Sequence, residues 1–235
     1  MIKDFARKYT QFLIAYRLSG YESASFLRGD FVLHPVDNKV FWANRFWQFL
    51  LRKPGWNDIL NNLTIITFNY ERSMEFALYQ SLYDQNKLIE PSFHGASYLE
   101  TNFHHVYGKL GKFAPPYSSH EKHLPFALPN NRWNEISQSA AAIDLIRYTE
   151  DKRAEGVYAA SIKKADSIFF LGFGFAKENI EKLGLTVPIV SNKWVFATGS
   201  RPDSLSEKHA EVLNHIVFTD DFCCKFTNEI LLKRI

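Results

Sequence analysis

The segment Ser167-Ile-Phe-Phe-Leu171, followed at once by Gly172-Phe173-Gly174-Phe175, limits most sharply what this chain can fold into. The apolar run reads as a buried strand. Two glycines then allow a tight turn, and Ala176 to Leu183 reads as a helix. Strand, glycine turn and helix open a βαβ unit, which calls for a parallel partner strand. The partner is expected at Trp194-Val-Phe-Ala-Thr198, ended by Gly199-Ser200. A helix near 207–213 and a last strand over 215–219 follow.

The same order occurs upstream. Residues 63–68, Leu-Thr-Ile-Ile-Thr-Phe, form an apolar run without alternation, as expected of a strand covered on both faces. Met74, Phe76, Ala77, Leu78 and Leu82 then suggest a helix, and residues 103–107 another strand ended by Gly108. Helical spacing covers residues 4–18 and 39–53, the second stopped by Pro54-Gly55. Four prolines make 111–131 an expected irregular loop, and a helix is expected from about Glu135 to Lys152. The segment from Asp221 reads as a closing helix. The fold class expected is α/β: a Rossmann-like three-layer parallel sheet with additional N-terminal helices. Residues 1–60 form the N-terminal helical segment and 61–235 the Rossmann-like domain, together one compact unit.

Composition narrows the function. With 235 residues, 46% hydrophobic and 16% aromatic, the chain can bury one sizeable core and is not a disordered segment. The aromatic density of the N-terminal helices reads as core packing, with a protein-interaction face as the alternative. A net charge of +3 without basic runs gives no nucleic-acid footprint. Cys223 and Cys224 are adjacent and suit neither a disulfide framework nor a four-ligand zinc site, so no metal is expected. A reducing cytoplasm is the expected compartment. Met1 to Asp4 lead into an amphipathic segment with no secretory leader pattern, and no apolar run approaches the roughly 20 residues that span a bilayer.

Three turns carry residues fit for chemistry. Gly172 and Gly174 let a phosphate approach the start of a helix, although Lys177 stands where a third glycine would complete the dinucleotide fingerprint. A turn that binds nothing is the alternative. Thr67-Phe68-Asn69-Tyr70-Glu71 follows a strand end, where ligands of open α/β sheets sit. Asn69 can bond a ribose or amide there, and Glu71 can take a hydroxyl proton. Equally, Asn is a favoured helix cap and acids suit a first turn. At the third turn, His105 and Tyr107 share a face if the strand continues, a pair suited to acid–base work or to plain packing. His94-Gly95 is a separate pair in an expected loop.

In this order the three segments resemble the prokaryotic sirtuin-like domains, many of them from NAD-depleting anti-phage systems. The resemblance rests on Thr67, Asn69, Tyr70, Glu71 and Glu75, on His105-Val-Tyr107-Gly108, on Leu171-Gly-Phe-Gly174-Phe175 with Asn179, and on Ala197-Thr198-Gly199-Ser200. It spans about residues 60–220. It implies NAD as substrate or ligand, Asn69 at the nicotinamide ribose positioning water, Glu71 assisting, and a His taking a proton. It further implies Thr67, Gly172, Phe173 and Gly174 along the nucleotide, with Asn179, Thr198, Gly199 and Ser200 toward its adenosine side. The reaction implied is cleavage of the nicotinamide glycosidic bond; the partner implied is a small-molecule nucleotide, with room for a homo-oligomer or an additional effector domain. The family's first Gly-rich loop has no counterpart before residue 60, so a strand and loop upstream of Met1 are one expectation. Tyr107-Gly108 replaces the usual His-Gly, which makes His105 the candidate base and a catalytically silent nucleotide-sensing or interaction module the alternative. The deacylase zinc cysteines are absent.

Overall fold

Apolar residues at 43, 46, 47, 50 and 51 draw one stripe along a helix, and Ala43, Phe46, Trp47, Leu50 and Leu51 are all buried on it. The computed structural model describes residues 8–18, 42–70, 72–85, 102–111, 113–114, 124–126, 132–141, 143, 152–199, 201–202 and 207–219. They are mixed helix and parallel strand, in two compact units, Met1–Thr149 and Glu150–Ile235.

In the first unit α1 covers residues 8–18. It is followed by α2 (Trp42–Leu51), α3 (Trp56–Asn61), β1 (Ile65–Thr67), α4 (Ser73–Asp84) and β2 (Phe103–His105). The short strands β3 (Phe113–Ala114) and β4 (Leu124–Pro125) and the helix α5 (Trp133–Ala140) complete it. Strands β1 and β2 pair in parallel with Ile65 opposite Phe103 and Thr67 opposite His105. The stripe of α2 lies on this ladder and on α4: the Trp47 ring sits tilted 6.0 Å from that of Phe103, and its indole N–H donates to the Met74 carbonyl at 3.2 Å. A second cluster joins Ala15 of α1 to Leu110, Ile136, Ala140 and Ile143.

Three expectations change here. The spacing predicts one helix from about Glu135 to Lys152, but α5 stops at Ala140. Ile143 is buried not on a helix face but through an antiparallel bridge to Gly108, and its carbonyl accepts from the Gln11 amide. The segment 111–131, expected to be irregular, contributes β3 and β4, paired in parallel. The 63–68 run is half-buried along β1 rather than covered on both faces.

The second unit runs α6 (Lys152–Lys164), β5 (Ser167–Phe170), α7 (Lys177–Lys182), α8 (Val187–Val190), β6 (Trp194–Thr198), α9 (Glu207–Leu213) and β7 (Val217–Thr219). Its three strands form a parallel sheet ordered β5-β6-β7, with Ser167 opposite Trp194 and Phe196 opposite Val217. Of its helices, α7 and α9 match the expectation, whereas α6 went unread. The Lys193 ammonium closes the end of α6, donating to the Lys163 carbonyl at 2.9 Å and to that of Ala165.

Gly184 ends α7 at φ +64, where an added Cβ would stand 3.2 Å from the Ala159 Cβ. Its N–H donates to the Glu181 carbonyl and that of Leu185 to Ile180, the Schellman arrangement. Gly174 differs: its φ is not in the left-handed region and a Cβ there would meet nothing within 4 Å. Gly184→Ala is therefore expected to cost about 1–2 kcal/mol in urea unfolding, from the left-handed backbone alone. Gly174→Ala is expected to stay within about 0.5 kcal/mol of the parent.

Candidate functional site

Parallel pairing puts the carboxyl ends of β1 and β2 side by side, so the two following turns must share hydrogen-bond partners. Val106 N–H donates to the Thr67 carbonyl at 2.9 Å, and Leu110 N–H to the Tyr70 carbonyl at 3.2 Å. The Thr67 hydroxyl accepts from Asn69 N–H at 3.1 Å, which tightens the first turn locally. Gly108, at φ +75, lets the second turn fold back so that its N–H reaches the His105 carbonyl at 3.1 Å.

His105 joins these turns to α4. Its Nδ1 lies 2.8 Å from the Asn69 carbonyl and its Nε2 2.7 Å from Glu75 Oε1. The imidazole is 2% exposed and the Glu75 side chain is fully buried, while Asn69 is exposed. A carbonyl oxygen and a carboxylate are both acceptors, so two hydrogen bonds require a proton on each ring nitrogen. In this arrangement the ring has no lone pair left to receive another proton. The Lys109 ammonium lies 3.5 Å from the same Oε1, and the second oxygen, Oε2, is buried without a hydrogen-bond partner among the described residues.

Burial is the largest single influence on the Glu75 carboxyl and pushes its pKa up, yet the net direction is down. The charge and hydrogen bond of His105, the charge of Lys109 and the residue's own backbone amide together outweigh burial. His104 moves down as well, first through burial and then through repulsion from His105 and Lys109.

Asn69 does not cap α4. The N-cap is Arg72, three residues later, with no side-chain cap bond. The acid found in the first helical turn is Glu75. Glu71 and His94 lie outside the described residues. Tyr107 sits in the turn past β2, so the strand alternation that would align it with His105 does not reach it. Its ring is buried, at 5.7 Å from Phe68 and 6.3 Å from Tyr70.

Glu75 was legible only as one letter of the motif, and Arg72 not at all. Arg72 is fully buried, its guanidinium 5.9 Å from the Phe126 ring. Two buried charges in one helical turn are uncommon, and nothing in the local spacing announces them.

The glycine turn of the second unit is also tied down. Gly172, at φ +63, donates its N–H to the buried Thr198 hydroxyl at 2.9 Å, and Gly199 N–H donates to the Thr219 carbonyl at 2.8 Å. Phe175 is held at φ +48 by rings on three sides: Phe170 at 5.1 Å, Phe173 at 4.7 Å and Phe218 at 5.2 Å. The structure thus brings together Gly172, Phe173, Thr198 and Gly199 beside Gly174. Asn179 lies one turn into α7, where its N–H donates to the Ala176 carbonyl. Ser200 lies outside the described residues.

No family model matches the chain, and no curated protein and no solved structure matches it either. Among the described residues there is no group of three His, Cys, Asp or Glu placed to hold a metal ion, and no helix long and apolar enough to cross a membrane.

Because the folded Glu75 carboxyl titrates below its ordinary value of 4.5, its contribution to stability is complete above that pH. It is lost as the pH falls through the lower, folded value. Urea unfolding at pH 7 and pH 3 is therefore expected to show a larger acid loss for the parent chain than for Glu75→Gln. At pH 7 the substitution itself is expected to cost about 1–3 kcal/mol.

Proposed function

We propose that the chain is a sirtuin-like, NAD-handling α/β protein whose reaction is hydrolysis of the nicotinamide glycosidic bond. In this reading the parallel strands belong to a Rossmann-like core with additional N-terminal helices. The observation that carries it is the meeting of Asn69 and His105, 36 residues apart, at the carboxyl ends of adjacent parallel strands. That is where open α/β sheets hold their ligands. Exposed Asn69 would face the nicotinamide ribose and orient water. The bond from ribose C1′ to the ring nitrogen breaks with its electron pair on nicotinamide, while a water oxygen bonds to C1′ and its released proton passes to solvent.

A second reading, nucleotide binding without turnover, is favoured by the engaged ring of His105 and the buried ring of Tyr107. Neither is free to act as the base in this arrangement. An anti-phage setting and the cytoplasm belong to the resemblance and stand as part of the same proposal.

Purified chain incubated with NAD is expected to release nicotinamide, measured by chromatography. Asn69→Ala is expected to lower the rate at least about 100-fold, the scale set by loss of a positioning group. Saturable binding by calorimetry with no release selects the second reading. Neither binding nor release removes both.

A further inference from the structure

Glu75 has no role in the reaction just described, yet it is the most expensively placed group near Asn69. A carboxylate with no solvent exposure is strongly disfavoured unless it is paired. Its partner is the one ring that also holds the Asn69 carbonyl.

We propose that Glu75 is a positioning residue: it accepts from His105 Nε2–H and so keeps the ring protonated on both nitrogens, and the Nδ1–H then pins the Asn69 carbonyl. The chain of contacts runs from the first turn of α4, through β2, to the turn after β1. It fixes the backbone from which the Asn69 side chain extends. The first turn of α4 favours the negative end of such a pair through the helix dipole. Lys109, at 3.5 Å from Oε1, is the other charge beside the carboxylate, and His104 is held toward its neutral form by burial and by these same neighbours. The consequence for catalysis rests on the reading that Asn69 faces the substrate, whereas the protonation of His105 does not.

Ring-nitrogen NMR of the full chain labelled with ¹⁵N-histidine, at pH 7, separates the two. His105 is assigned by the signals missing from His105→Gln. Two protonated ring nitrogens are expected in the parent, and one unprotonated nitrogen in Glu75→Gln, where a neutral side chain no longer calls for an imidazolium. The Asn69 carbonyl ¹³C resonance is expected to move in the same variant. One unprotonated His105 nitrogen in the parent overturns the proposal whether or not the variant folds, and so does an Asn69 carbonyl that stays in place in a folded variant.

With NAD, Glu75→Gln is expected to lose about 10- to 100-fold in kcat, the scale of a small misplacement, with little change in KM. Glu75→Asp, which keeps the carboxylate, is expected to recover part of the loss. Equal losses in both variants, tracking their unfolding temperatures, indicate a merely structural acid and overturn it. A parent chain that releases no nicotinamide defeats the proposed function, while the two NMR readouts still decide what Glu75 does to His105 and Asn69.

Discussion

The imidazole of His105 is the joint on which the first unit depends. Two parallel strands can align their ends through ladder bonds alone, but the turns beyond them need a separate tie, and here the ring provides it between the Asn69 carbonyl and Glu75. Among the described residues, that ring, Lys109 and the residue's own backbone amide support the carboxylate in its dry setting. The Asn69 turn, the β2 turn and the start of α4 are therefore one cooperative piece rather than three loops.

Much of this organisation was legible in the sequence, for a simple reason. Runs such as 65–67, 167–170 and 194–198 are apolar, rich in β-branched or aromatic residues, and closed by polar or glycine turns, and all three are strands. The rule that parallel strands point their ligand-bearing ends the same way was enough to bring Asn69 and His105 together as candidates. What it does not give is where each ring nitrogen points. Whether His105 is open to a substrate or occupied by protein acceptors depends on distances of a few tenths of an ångström between residues 30 and 36 positions apart. Periodicity misled where tertiary contact imitates it: Ile136, Ala140 and Ile143 keep helical spacing, but Ile143 is buried by its bridge to Gly108 and not by α5.

Glycine, read from sequence as one signal, is two things here. Gly184 is required by its own backbone, in a left-handed position pressed against Ala159. Gly174 is required by nothing in the described structure. A glycine of the first kind records how a helix stops. One of the second kind is open to selection by something outside the chain. Phe175, beside it, takes the left-handed conformation without being glycine and is held there by its aromatic neighbours.

The amine of Lys193 closes the last turn of α6 by reaching two main-chain oxygens, and it does so at the entrance to β6. Helix and strand, some thirty residues apart along the chain, are thereby fastened by one side chain that carries three donors. Acylation of that amine would remove its charge and two of its donors. The carbonyls of Lys163 and Ala165 would be left to solvent, and the state of a single nitrogen would be written into the mechanical coupling of the second unit.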